Sequence, residues 1–390
     1  MFSLRTPKQM QQNRISKLIE NRNRLEIVNL TESNPTQVGF DYNIDFITSS
    51  LTRPESIFYE PDPKGLLEAR ESVCNYYKAR KVKVELDNIF LTASTSEAYT
   101  FLFKLLADPG EQVLVPIPSY PLFEHLAQAE TIKAVPYNLY YDGDWHIDIY
   151  SIKKAINSSV KAIIIVSPNN PTGSCLKKDE LDQIIEICLE HQIALISDEV
   201  FSDYTYQESE QRVKTIAEVD QILSFTMSGL SKVAGLPQIK LGWVVVNGPS
   251  NIATEAMLRL EFIADLFLSV STPVQHAARS LFESVSHIQT QIKERVLSNR
   301  TWLQSQLGKE SVCSLLSAEA GWYSIIQVPN VMTEEEMILQ ILEQENVLIH
   351  PGYFFDFASE GWLITSLIVE QEKFKEAMGR ILSRAELWLK

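Results

Sequence analysis

The chain has 390 residues, 45% of them hydrophobic and 22% charged, which reads as a soluble globular protein with room for one large domain or two to three ordinary ones. Its 35 basic against 50 acidic residues give a formal charge of -15, opposite to the basic surface that attracts phosphate backbones, so nucleic acid is not an expected partner. No apolar run approaches the roughly 18 to 20 residues of a membrane helix and the start, MFSLRTPKQMQQNRISK, lacks the apolar core of a secretory signal, so no membrane partner and a cytoplasmic location are expected.

After this polar start, residues 65–80 (GLLEARESVCNYYKAR) carry apolar side chains at helical spacing. Short β-branched runs at 89–92, 113–115, 162–166, 193–196, 222–225 and 244–246 then alternate with helix-like stretches such as 96–107 and 179–191. Runs of this kind belong to strands buried on both faces, so the middle of the chain is expected to be an α/β unit with a mainly parallel sheet covered by helices. Beyond about residue 273 the pattern changes to a long amphipathic helix (274–307), strands around 322–328 and 347–350, and helices at 333–345 and 370–389, an α+β order. No Gly/Ser linker or internal repeat separates the parts, and tightly packed domains are expected. The division is placed at 1–50 for an N-terminal arm with part of the smaller domain, 51–272 for the large domain, and 273–390 for the smaller one.

In an open α/β sheet, ligands bind outside the carboxyl ends of the strands, so the residues following each strand carry the argument. Ser94, Thr95 and Ser96 open a helix after the strand NIFLT. Free N–H groups, the positive dipole end and hydroxyls make such a start a phosphate cradle, although Ser94 and Glu97 also fit a capping box that needs no ligand. Ser167-Pro168-Asn169-Asn170-Pro171-Thr172-Gly173 follows the run KAIIIV. It is turn chemistry, and an Asn amide there can also donate to a ring hydroxyl. Asp198 ends the apolar strand IALI, where an ionised carboxylate needs a cation or donors: a protonated pyridine nitrogen, a metal or a capped backbone would each serve. Lys232, in SGLSK after the strand ILSFTM, is either a solvated loop lysine or a desolvated amine of lowered pKa, the form that condenses with an aldehyde. The four cysteines are far apart without CxxC spacing and the six histidines form no HExxH pattern, so reduced thiols and no metal are expected.

Taken in order, the cradle, SPNNPTG, SDEV and SGLSK resemble the class I/II aminotransferases of fold type I, from about Asn34 to the end of the chain. The resemblance implies a large domain with a mainly parallel seven-stranded sheet, a smaller α+β domain, and pyridoxal 5'-phosphate as cofactor. It implies that Lys232 holds the cofactor through a Schiff base and moves the substrate proton, and that Asp198 keeps the pyridine nitrogen protonated. It further implies that Asn170 bonds the ring hydroxyl oxygen and that Tyr120, in PSYP, stacks on the ring. Ser94, Thr95, Ser96 and Ser231, helped by Lys240, would hold the phosphate. Tyr59 resembles a tyrosine that reaches the neighbouring subunit's phosphate, which implies a homodimer with shared sites.

Three positions depart from the family pattern. Phe201 stands where a tyrosine usually bonds the cofactor oxygen, which leaves open whether Tyr204 compensates. Lys240 replaces an arginine, keeping the charge but losing the bidentate fork. The stretch Gly361-Trp362-Leu363-Ile364-Thr365-Ser366-Leu367 has no arginine where the family clamps the substrate α-carboxylate, so another basic residue does that work or the substrate is not an ordinary α-amino acid. The expected function is amino transfer from an amino acid or related amine to a 2-oxo acid. The competing readings are a β-eliminating lyase of the cysteine-S-conjugate type on the same fold and a non-catalytic binding protein. A nicotinamide dehydrogenase is set aside because no GxGxxG follows the first strand.

Overall fold

The computed structural model describes residues 2–7, 12–20, 27–308 and 310–389. In chain order the strands are β1 (Val28–Asn29), β2 (Ile89–Thr92), β3 (Gln112–Ile117), β4 (Lys133–Tyr141), β5 (Trp145–Ile147), β6 (Val160–Val166) and β7 (Ala194–Asp198). They continue with β8 (Ser224–Gly229), β9 (Gly242–Asn247), β10 (Ser314–Leu315), β11 (Tyr323–Gln327), β12 (Val347–Leu348), β13 (His350–Pro351) and β14 (Trp362–Ser366).

The large sheet has the order β2-β9-β8-β7-β6-β3-β4-β5. Its four central pairings, from β8 through β7, β6 and β3 to β4, are parallel, while β9 and β5 run against their neighbours. Seven strands thus form the expected mainly parallel sheet, and the three-residue β5 adds an eighth at the edge. Every residue of β7 and β8 is buried, which is why these segments read as unbroken apolar or small-residue runs. Strand β4 (KAVPYNLYY) escaped the sequence reading for the opposite reason: near the edge it leaves Lys133, Pro136, Asn138 and both terminal tyrosines exposed.

The single helix expected over 274–307 is two helices, Thr272–Glu283 and Val285–Gln306, broken at Ser284. The first, which the sequence-based division assigns to the C-terminal part, packs Val274, Ala277, Ala278 and Leu281 into the core around helix Leu67–Ala79 and the large sheet. The second carries Ile288, Ile292, Val296 and Leu303 into a separate core with the smaller sheet, β10-β11-β14-β13. Ile15, Leu30 and Val38 join that second core, and β1 pairs in parallel with β12, so N-terminal chain is built into the smaller unit.

Because β2, β6, β7 and β8 run in the same direction, the chain leaves all four at one edge of the large sheet. That edge faces Phe201, Trp322 and Tyr323 of the second core. Among the described residues no helix is long and apolar enough to cross a membrane.

Candidate active site

Lys232 sits on the one-turn helix Leu230–Val233, launched directly from β8. Its Nζ lies 4.9 Å from the ring centroid of Trp322 and 5.5 Å from that of Phe201, so two aromatic walls take the place of water. Burial pushes its pKa down to about 8, against the pull of the Asp198 carboxylate. At pH 7.5 about a quarter of such an amine is neutral, against about one in a thousand for a free lysine.

Asp198 ends β7, the strand hydrogen-bonded beside β8. Its Oδ2 accepts the Tyr99 hydroxyl at 3.1 Å and its Oδ1 accepts the Val200 N–H at 3.2 Å. Burial nevertheless raises its pKa to about 6, because two neutral donors and a distant lysine do not replace the water lost.

The loop after β6 divides labour between its two asparagines. Asn169 is buried and fully engaged: its Nδ2 donates to Ser119 Oγ at 3.1 Å and its Oδ1 accepts from the Thr172 hydroxyl at 2.9 Å. Asn170 Oδ1 is buried without a partner, as is Ser228 Oγ at the end of β8. Unpaired buried polar atoms at the ends of β6 and β8, on either side of β7, cost stability and mark a place for a polar ligand.

Ser94 caps helix Thr95–Leu106, its Oγ accepting the Glu97 N–H at 3.2 Å. The box is only half closed, since the Glu97 carboxylate turns to the Ala93 N–H at 2.7 Å and to the Ser269 hydroxyl at 2.6 Å. A Cβ on Gly242 would meet Thr92 Oγ1 at 3.1 Å and the Ser94 carbonyl carbon at 3.2 Å, and one on Gly229 would meet Leu241 O at 3.1 Å. The facing pair Gly229 and Gly242 therefore lets β8, β9 and this helix start approach closely.

The structure brings Lys232, Asp198, Asn170 and the Ser94–Thr95–Ser96 helix start to one sheet edge, with Ser231 beside Lys232. Tyr120 is half exposed next to Ser119, and its ring is within electrostatic reach of the Tyr323 hydroxyl. Lys240 is exposed, at a left-handed φ of 58°. Tyr59 is not in the cluster: it stands on an exposed loop, lining a cleft with Leu268, Ser269 and Val270. Tyr204 does not supply the missing phenol, because its hydroxyl donates to the Lys232 carbonyl at 2.6 Å. Sequence reasoning missed Trp322 and Tyr99, since an aromatic in a strand-like or helical run has the same signature as any core residue.

Residues 28–381 match the family model of the class I and II aminotransferases. The glutamate–pyruvate aminotransferase AlaA of Haemophilus influenzae is 28% identical over 341 residues, covering 86% of this chain and 84% of that protein. The alanine aminotransferase of Mycobacterium tuberculosis is 26% identical over 341 residues, covering 85% and 79%. Among solved structures, the alanine aminotransferase of Pyrococcus furiosus superposes with a TM-score of 0.85 at 26% identity, covering 96% of this chain and 95% of that one. The strand-end amine, carboxylate and amide thus sit in a fold and a sequence that agree, and the chain belongs to the class I and II aminotransferases, as a pyridoxal-phosphate-dependent enzyme of amino transfer.

Proposed function

We propose that Lys232, Asp198 and Asn170 form the reacting centre of this aminotransferase, with Ser94, Thr95, Ser96, Ser231 and Lys240 holding the cofactor phosphate and Tyr120 against the ring. The observation that carries the reading is the set of unmet partners at one sheet edge: the orphan Asn170 Oδ1, the orphan Ser228 Oγ, and an Asp198 whose pKa burial raises in spite of Lys232. A heterocycle with a cationic nitrogen and a ring hydroxyl, whose O–H donates to Asn170 Oδ1, satisfies Asp198 and Asn170 together, and a phosphate suits the glycine-lined helix start.

When bound, pyridoxal phosphate supplies an electron-withdrawing ring that takes up negative charge developing on the donor's α-carbon. Lys232 Nζ, neutral in a useful fraction because it is desolvated, takes and returns the proton at that carbon. Asp198 holds the proton on the ring nitrogen through a charge-assisted hydrogen bond, and Tyr99 and Val200 fix the carboxylate. Phe201 and Trp322 keep bulk water from the amine.

The proposal extends to a cytoplasmic homodimer. Ile57, Phe58 and Tyr59 in one stretch and Phe262, Leu266 and Phe267 at the end of helix Ser250–Asp265 are all exposed, apolar side chains that a second copy would cover. A second copy seated there would bring Tyr59 near its neighbour's site.

Borohydride treatment of protein made with ample vitamin B6, followed by peptide mapping, tests the core of the reading. A pyridoxal adduct on Lys232 is expected, together with oxo-acid-dependent amino transfer. An adduct that persists in Lys232→Ala refutes the assignment, and release of pyruvate and ammonia without an acceptor would favour the lyase instead. Sedimentation at the mass of a single chain would remove the dimer.

A further inference from the structure

Beside the segment that follows β7 lies a cavity of about 230 Å³ that shares no residue with the cluster around Lys232. Its charged lining is Arg80, Arg212, Lys214 and Lys293 against Asp203 and Glu208. Four positive and two negative side chains leave an excess of two positive charges, the reverse of a chain whose formal charge is -15. Arg80 follows helix Leu67–Ala79 beside the large sheet, and Lys293 belongs to helix Val285–Gln306, which packs on the smaller sheet, so both units contribute walls.

The six charges are not equally engaged. Arg80 is satisfied: its Nη1 donates to Ser202 Oγ at 2.9 Å and to Asp203 Oδ1 at 3.2 Å. Asp203 is spent on it and on the Tyr76 hydroxyl, which its Oδ2 accepts at 2.9 Å. Arg212 is served less well. Only 8% of its side chain is exposed, yet its ion-pair partner Glu208 stands at 3.7 Å, past hydrogen-bond reach, with 83% of its own side chain in water. A cation so far removed from water calls for an anion removed with it, and a solvated carboxylate at that distance contributes little. Arg212 Nη1 does donate to Gln207 O at 3.0 Å, which leaves the charge itself unmet.

The two lysines complete the set. Lys293 is half-buried and Lys214 exposed, and neither makes an ion pair with a described residue. Glu319, whose charge reaches Cys175 in the cavity wall, is itself held by Lys177 and by the Cys175 N–H at 3.0 Å.

We propose that this cavity is a second anion site, separate from the cofactor's, that seats a small dianion of the phosphate class between Arg212, Lys214 and Lys293. A tetrahedral dianion presents acceptor oxygens in several directions, which suits one planar guanidinium and two point-like ammonium groups on different elements. The seat also adjoins the reacting centre. Ser167 and Pro168, which begin the turn carrying Asn170, and Ser202 and Asp203, between Phe201 and Tyr204, belong to the same wall. An anion held there ties helix Val285–Gln306 to both segments.

The test is calorimetric titration of the holoenzyme, whose cofactor fills the other phosphate position, with inorganic phosphate at an ionic strength kept constant with sodium chloride. One phosphate per chain should bind with a Kd of about 1 mM or lower, because charge-assisted contacts to three cations outweigh the immobilisation of a small ion. Lys214→Gln combined with Lys293→Gln should weaken binding by about tenfold or more, the scale of one hydrogen bond to a charged group, while the cofactor's absorbance stays unchanged. Both lysines have solvent-facing room, so the double variant should fold where a change at Arg212 might not. A second arm replaces phosphate with glycerol 2-phosphate: binding of both assigns the seat to a phosphate group whatever it carries, and binding of inorganic phosphate alone confines it to the free ion. Phosphate that competes no better than chloride, or that binds the double variant as tightly as the wild type, overturns the proposal.

Discussion

Replacing Asp198 by asparagine should stabilise the cofactor-free protein while weakening its hold on the cofactor. The folded state holds this proton more tightly than the unfolded chain, its pKa raised from 3.8 to about 6 by burial. It therefore binds more protons through that window and loses stability as pH rises across it, the whole penalty being present at pH 7.5. The rise corresponds to about 3 kcal/mol. Asparagine keeps an acceptor for the Val200 N–H and gives the Tyr99 hydroxyl a partner, so most of that penalty should disappear. Part is offset because Asp198 supports the charge on Lys232, and the lysine will meet its loss by shedding its proton. A gain of about 2 kcal/mol at pH 7.5, vanishing toward pH 4, is the net expectation. Paired urea titrations of the cofactor-free proteins across that pH range measure it. An Asp198→Asn protein that is less stable than wild type at pH 7.5, or whose advantage does not change with pH, would refute the account of a carboxylate kept charged at a cost for a partner that arrives later.

Two further substitutions probe the surroundings of Lys232. Phe201→Tyr places a phenol against the amine pocket, where a donor to the cofactor oxygen favours the deprotonated form, so the pH midpoint of the bound cofactor's absorbance should fall by about 1 pH unit; unchanged midpoints would dismiss the idea. Tyr204→Phe leaves the Lys232 carbonyl without its 2.6 Å donor, for a loss of about 1 to 2 kcal/mol in stability and a lower kcat at similar KM; a variant with unaltered melting and turnover would show that the bond positions nothing.

The parts legible in the sequence were those whose chemistry needs a fixed residue type at a fixed place in the chain. Strands β6, β7 and β8 are buried on both faces and read as apolar or small-residue runs, and the residues following them are where the amide, carboxylate and amine were sought and where they lie. What stayed illegible was set by partners distant in sequence. Strand β4 hides behind a proline and exposed tyrosines, and β5 has too few residues to show any period. The break at Ser284 carries no glycine or proline, so an apolar pattern running through it read as one helix. Trp322 reaches Lys232 from a different core cluster, a juxtaposition that only the packing of the two sheets creates.

The three departures from the family pattern were visible as letters, but their joint consequence depends on geometry. Phe201 borders the amine, and Tyr204, its hydroxyl turned to the Lys232 carbonyl, does not replace the missing phenol. In the arginine-free stretch 361–367 Ile364 is buried, and the guanidinium of Arg300, on the same small sheet, is turned to Ser324 Oγ. Lys240 keeps a charge in place of a guanidinium, and Asp198 pulls against the desolvation of Lys232. The surroundings of the amine are thus aromatic, with the Asp198 carboxylate at the end of the neighbouring strand. The amine owes its lowered pKa to the walls that exclude water and not to a neighbouring cation, so its reactivity follows from what is kept away from it as much as from what stands beside it.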